Sequence, residues 1–465
     1  MATPKTPAVL AQEAETLAKS FEYVYHNKML YAPFDFENGD EGVVPPIERK
    51  MWVPMSDDML LLKARDQFGT LFKDNRQQQS FQFMVEQSAE RIDDTQPWLL
   101  VKTDSGLQVL KEDGTLSNPD GSFIPNTIRW KINTSPDDKA ELLKTITDWV
   151  GGDPEIVTSL LRHLATALAP HWSAGKYVLL IGNGRNGKSL LMNMLQVLFG
   201  RDNCSSITRQ QISDADKALF DLNNKLLNIV FDGPAEFVKD SGREKSLITG
   251  EAIGIRKLYA NASTTVQTNA LFLEGLNQEP RSRDKSSALQ ARLVRFIFPN
   301  KYADDQDFWN HMHSERMLGA MLSLLIDHYV LRSEVAVMLA PTQASKQAEI
   351  EHSIDNSLAL QFLLYLDETE QLPVEEYLLD FDFNTLVSAF QAWRKKCGDT
   401  SPWDSQSLVN LFRPVLITER KSAWDSTVAS SRKKRFVVGL TLDTLAIIKS
   451  LREEDPANAA AVVDD

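Results

Sequence analysis

The sequence predicts an α/β protein of several domains, built around a strand–loop–helix unit near its middle. Two observations carry this. Tyr177-Val178-Leu179-Leu180-Ile181 is an apolar run of strand formers, followed at once by Gly182-Asn183-Gly184-Arg185-Asn186-Gly187-Lys188-Ser189. Leu190 to Phe199 then repeats its apolar residues at helical spacing and stops at Gly200. The loop fits G-x-x-x-x-G-K-[ST] at every fixed position. Glycines there let backbone N–H groups turn toward phosphate oxygens, and the helix N-terminus adds its positive dipole end. Lys188 is expected to reach the β- and γ-phosphates of ATP, and Ser189 to ligate Mg²⁺.

At 465 residues the chain exceeds one ordinary core. Hydrophobic and charged fractions of 43% and 25% are those of a globular protein. No apolar run is long enough to span a membrane, and Met1 to Leu10 lacks a signal-peptide pattern. Cys204 and Cys397 are too few and too far apart for a disulfide framework or a zinc site, so a cytoplasmic location is expected. A net charge of −14 argues against a general nucleic-acid coat. It leaves room for local basic loops.

Residues 1–134 read as a mixed α+β domain: a helix from Val9 to Phe21, strand-like aromatic sequence from Tyr23 to Val53, and a helix from Asp57 ending near Phe72. Turn signals between Pro97 and Trp130, such as Glu112-Asp113-Gly114, mark a small β-rich segment. Residues 135–172 read as a helical collar, with Leu142, Ile146 and Trp149 on one face and a second helix from Pro154 to Leu168. Residues 173–302 form the nucleotide core. Residues 303–345 read as a helical connector, with a helix from Ser314 running beyond Leu331. Residues 346–452 are a separate domain. Residues 453–465, small and acidic, read as a disordered tail.

A nucleotide engine needs a carboxylate at the end of a second buried strand. Leu226 to Phe231 leads to Asp232, and Glu236 follows as a second candidate; Asp232 also fits a plain turn, given Gly233-Pro234. Next come Lys245-Ser246-Leu247-Ile248-Thr249-Gly250-Glu251, then Arg256-Lys257. The strand Val266 to Leu273 leads to Asn277-Gln278-Glu279-Pro280. Arg292 precedes the strand Leu293 to Phe298.

This order resembles the superfamily 3 helicases of the phage and plasmid primase-helicase type, AAA+ ATPases of the poxvirus and phage kind. The resemblance is good from Ser135 to Tyr302 and weaker outside it. It implies that Asn277 senses the γ-phosphate and that Arg292 reaches a neighbouring subunit's ATP site. It also places Arg256 and Lys257 in a DNA-tracking hairpin. Asp232 stands where many relatives carry glutamate or an acidic pair, and Glu251 where aspartate is common. Arg292 also fits a solvated strand-edge residue, and Arg256 and Lys257 a solvated basic turn.

In the last domain, Phe383 to Cys397 and Ser405 to Phe412 read as helices. Ser430-Ser431-Arg432-Lys433-Lys434-Arg435 reads as a basic hairpin before the strand Phe436 to Leu440. Two helices and a basic hairpin have the shape of a winged helix, which serves DNA or protein contact alike. The favoured function is an ATP-driven ring helicase, hexameric, moving on single-stranded or forked DNA in phage or mobile-element replication beside a primase and polymerase. The alternative is an ATP-switched origin-binding or loading factor on duplex DNA. No membrane partner is expected.

Overall fold

The computed structural model describes residues 5–27, 29–35, 45–70, 72–92, 98–216, 218–233, 242–256, 263–277, 289, 291–355, 357–369, 381–397, 404–425 and 430–453. The chain divides into two compact units, Met1–Ser345 and Lys346–Asp465.

The first unit opens with helix α1 (Pro7–Ser20), then β1 (Val24–His26), β2 (Met29–Asp35) and β3 (Lys50–Pro54). Helices α2 (Asp57–Phe68) and α3 (Asn75–Ser88) follow, then β4 (Glu90–Arg91). The strands form a four-stranded sheet, β3-β2-β1-β4. Leu10, Ala14, Leu17, Leu60, Phe81 and Val85 close the core beneath it. Helix α2 ends earlier than the apolar pattern suggests, because Gly69 adopts a left-handed φ of 62° and its N–H caps Arg65. Helix α3, rich in glutamine, carries little apolar periodicity; Asp74 caps it and Phe81 and Val85 anchor it.

The turn-rich segment folds as β5 (Leu99–Thr103), β6 (Gly106–Leu110), β7 (Leu116–Ser117) and β8 (Thr127–Lys131), in the order β7-β6-β5-β8. Helices α4 (Pro136–Trp149) and α5 (Pro154–Ala165) come next, each with a proline in its first turn and a side-chain cap, Ser135 and Asp153.

The core sheet contains β9 (Tyr177–Ile181), β10 (Cys204–Ser205), β11 (Leu227–Val230), β14 (Leu271–Leu276) and β15 (Leu293–Ile297), in the order β10-β11-β14-β9-β15. Every pairing is parallel. Strands β9, β11 and β14 are buried throughout. The strand read from Val266 to Leu273 is divided: Val266 closes an earlier strand, Ser263–Val266, and β14 begins only at Leu271. Helix α6 (Lys188–Phe199) follows β9, α7 (Arg209–Asp214) follows β10, and α8 (Gly242–Ile248) precedes an antiparallel pair, β12 (Ile253–Arg256) with β13 (Ser263–Val266). The connector is broken: helices span Gln306–Met312 and Glu315–Asp327, and past Leu331 come a one-turn helix, Val335–Met338, and a longer one, Gln343–Asp355. Glu315–Asp327 lies tight on the β-rich segment at Gly319, where a Cβ would sit 2.3 Å from the Lys131 carbonyl.

In the second unit, helices Leu358–Glu368, Phe383–Lys396 and Ser405–Phe412 pack around Phe362, Phe390 and Phe412. The Phe390 and Phe412 rings meet edge-on at 5.1 Å. Strands β16 (Phe381–Asp382), β17 (Leu416–Asp425) and β18 (Ser430–Leu440) form a three-stranded sheet, β16-β18-β17. Here the sequence reading needs correcting. Arg432 to Arg435 lie inside β18, paired with Ala423 to Arg420 of β17, so the strand read from Phe436 begins at Ser430. Cross-strand pairing extends it through the basic residues of the hairpin.

Candidate nucleotide site

Lys188 opens α6 and is buried. Its ammonium donates to the Gly182 carbonyl at 2.5 Å and to Asn186 Oδ1 at 3.2 Å. Asn186 Nδ2 donates to the Phe298 carbonyl at 3.2 Å, tying the loop to the segment after β15. Burial lowers the Lys188 pKa, and the Asp232 carboxylate opposes that shift.

The loop's glycines have different jobs. Gly184, Arg185 and Gly187 take positive φ, 73°, 49° and 88°, which turns successive N–H groups into one concavity. Gly182 is required by space: a Cβ there would lie 2.5 Å from the Phe298 carbonyl. Gly187 is required twice, because its Cβ would also lie 2.6 Å from the Trp149 ring. Asn183 is exposed and does not line the cavity.

The loop forms one wall of a cavity of about 1050 Å³. Gly184, Arg185, Asn186, Gly187, Lys188 and Ser189 line it, with Asp232 and Asn277 across from them. Asp232 follows the end of β11 at Val230, and Asn277 follows β14 at Leu276. The sheet's parallel order puts both strand ends beside the end of β9. Gly275 makes this approach possible, since a Cβ there would meet the Phe231 carbonyl at 2.7 Å and Met192 Sδ at 2.9 Å. The Ser189 hydroxyl and Asp232 carboxylate are hard oxygen donors in one cavity. That set fits Mg²⁺, which takes one or two protein oxygens, keeps waters and completes its shell with phosphate.

Arg292 is not in this cavity. It precedes β15, and its carbonyl accepts from Tyr177 N at 2.8 Å, at the start of β9. The phosphate loop leaves β9 at its other end. With about 3.3 Å per residue, the strand separates Arg292 from its own chain's loop by more than ten ångströms. Glu236 and Lys257 lie outside the described residues. Arg256 ends β12 opposite Ser263, in the position of a hairpin strand.

Four further contributors had no local sequence signal. Trp149 comes from α4, and Tyr302, Phe308 and Trp309 come from beyond β15. Tyr302 N donates to the Arg185 carbonyl at 2.8 Å, and its hydroxyl donates to Asp148 Oδ2 at 2.7 Å. Burial raises the Tyr302 phenol to about 12, so it stays a donor.

Behind the site lies a buried charge cluster. Arg209 of α7 donates to Glu244 of α8 at 2.6 Å. Glu274, mid-β14 and 1% exposed, lies behind Gly233, where a Cβ would sit 2.1 Å from Glu274 Oε1. Burial raises the Glu274 carboxyl from 4.5 to about 7; the Arg209 guanidinium opposes the rise and Glu244 adds to it. The folded chain therefore keeps a proton that the unfolded chain releases. Stability from this group is complete below about 4.5 and is lost as pH rises through about 7. Glu274→Gln keeps the shape and removes the titration. Its unfolding free energy relative to wild type should climb by on the order of 3 kcal/mol between about pH 4.5 and pH 8, read by denaturant titration at each pH. A difference that does not vary with pH would show that Glu274 is ionised in the fold.

A family of unknown function, DUF5906, matches residues 180–292, from the end of β9 to Arg292. Among solved structures, the apo C-terminal region of NrS-1 is similar over 92% of this chain and 99% of that one, at 14% identity and TM-score 0.41. A second form of that region gives 13% identity and TM-score 0.40. The JCV helicase, solved with a bound small molecule, is similar over 47% of this chain and 62% of that one, at 16% identity and TM-score 0.29. At TM-scores below 0.5, none of these likenesses by itself assigns an activity.

Proposed function

We propose that the protein is an ATP-hydrolysing DNA helicase that works as a ring, as a hexamer, with single-stranded DNA passing its hairpins. The observation that carries this is the meeting of Lys188, Ser189, Asp232 and Asn277 around one cavity at the ends of three parallel strands. The loop N–H groups and Lys188 bind the phosphates. Ser189 and Asp232 would hold Mg²⁺, which when bound would supply positive charge against the phosphates. Asp232 and Glu236 are the two carboxylates for taking the proton of the attacking water, and Asn277 orients that water. Arg292 lies far from its own loop, which supports a role in a neighbour's site and hence a ring.

The β12–β13 pair supports the tracking-hairpin reading of Arg256 and Lys257. In the second unit, two helices before a long strand pair support a winged helix. In that pair Lys434 stands opposite Lys421, and Arg435 opposite Arg420. This ribbon is the segment to which the winged-helix reading gives phosphate contact, by Arg432, Lys433, Lys434 and Arg435. A primase and polymerase are the partners this reading gives it, in phage or mobile-element replication.

The test is unwinding of forked DNA with tails of each polarity, with ATP turnover measured on single-stranded and duplex DNA. Opening of a fork supports the helicase. Turnover stimulated by duplex alone, with no opening, would favour the origin-binding or loading factor. Replacing Arg256 and Lys257 together with alanine should weaken single-stranded DNA binding and reduce its slope of log affinity on log salt by up to about 1.4, at about 0.7 per phosphate contact. Basal ATPase should persist. An unchanged slope with full DNA stimulation would move the contact to the 432–435 ribbon.

A further inference from the structure

The cavity is larger than phosphate binding needs, and its far wall is aromatic. Phe308 and Trp309 sit on the helix Gln306–Met312 and line the cavity, yet they are 37% and 40% exposed. The wall is held firmly. Asp305 caps the helix by accepting from Phe308 N at 2.9 Å. The His313 ring stacks on the indole of Trp309 with centroids 3.7 Å apart and planes 22° apart. Its Nδ1 donates to the Trp309 carbonyl at 2.8 Å. One indole face is thus covered by imidazole, and the opposite face is the one able to take another ring. The segment leading to the wall is tied to the loop, because Tyr302 N donates to the Arg185 carbonyl.

The cavity-lining carboxylates Glu141, Asp148 and Asp304 are already engaged. Glu141 accepts from His311 at 2.7 Å and from Arg316 at 3.2 Å. Asp148 accepts from Tyr302, and Asp304 pairs with Arg185 at 3.0 Å. Strong discrimination between bases needs fixed donors and acceptors reserved for the base edge. Stacking does not discriminate in that way, because every base has a π-face.

We propose that Trp309, with Phe308 beside it, is the stacking wall for the base of the nucleotide whose phosphates the 182–189 loop holds, and that it reads the base by its face. The site then takes adenosine and guanosine triphosphates alike. This rests on the nucleotide-site reading above.

The experiment is calorimetric binding to the full chain, with magnesium, of ATP, GTP and inorganic tripolyphosphate. Wild type should bind ATP and GTP within about tenfold of each other, a gap of about 1.4 kcal/mol. Trp309→Ala should weaken both by about 5- to 150-fold, the loss of one stacking contact, and leave tripolyphosphate unchanged. Trp309→Phe should recover most of the loss. Lys188→Ala should weaken all three ligands, and that arm reports on the phosphate site separately. Undiminished ATP affinity in Trp309→Ala would overturn the stacking wall and leave the phosphate site standing. Equal weakening of tripolyphosphate would make Trp309 a structural residue. Lost self-association with intact nucleotide affinity, read by sedimentation, would make the wall a docking face for a second copy. A strong ATP preference over GTP in wild type would overturn reading by the face. Failure of wild type to bind any of the three would overturn the nucleotide site, and the wall with it.

Discussion

Lys188→Ala protein is expected to fold normally and to lose ATP hydrolysis and strand opening together. The ammonium is the one cation among the described cavity-lining residues that arises from the loop and is held inside it, through Gly182 and Asn186. Removing a preorganised charge aimed at a transferring group costs about 10²–10³ in kcat, and loss of β/γ-phosphate binding adds to that. Stability should move the other way or not at all. Burial already disfavours the charged lysine, as its lowered pKa shows, so alanine removes a desolvation cost. The paired readout is steady-state ATPase beside thermal unfolding without nucleotide. Wild-type turnover in a folded Lys188→Ala protein would remove the phosphate loop from the mechanism. A collapsed unfolding transition would instead mean that the Gly182 and Asn186 bonds hold the loop together.

Arg292→Ala should bind ATP with near-wild-type affinity and hydrolyse it about 10³–10⁵-fold more slowly, the range for an arginine that stabilises charge on a transferring phosphoryl group from outside its own site. The geometry makes this a test of assembly as well as chemistry. Arg292 sits at the start of β15 and the phosphate loop at the far end of the adjacent β9, so a single chain cannot bring them together. Mixing Arg292→Ala with Lys188→Ala chains should therefore restore part of the activity, because a mixed ring pairs an intact loop with an intact arginine. Lack of rescue in rings proven to be mixed, by tag pull-down, would assign Arg292 to the packing of β15.

Local chemistry and buried strands were legible directly. The loop 182–189 and helix α6 follow from glycine spacing and apolar period alone, and the apolar run at β9 follows from burial on both faces, whereas β14 read as starting at Val266, which the structure assigns to β13. Helix ends marked by Ser135-Pro136 and Asp153-Pro154 are equally local. The sequence was least informative where charge and structure separate. Arg432 to Arg435 read as a hairpin ahead of a strand starting at Phe436, whereas pairing with β17 makes them part of that strand. Helix α3 was not read, because its apolar residues are few and only the packing of Phe81 and Val85 reveals its inner face.

The sequence by itself determined a glycine-rich loop between a strand and a helix, its lysine and serine, and carboxylate and asparagine candidates at two later strand ends. Those are properties of short segments, set by backbone sterics and residue chemistry. Only the tertiary structure decided that Asp232 and Asn277 face the loop, since that depends on the strand order β11-β14-β9. It also decided that Arg292 does not face it, because all five strands run parallel and put residues before and after a strand at opposite ends. The aromatic wall of Phe308 and Trp309, and Trp149 behind Gly187, come from elements far along the chain. Their place around the same cavity as the 182–189 loop is a result of packing, and no spacing in the sequence encodes it.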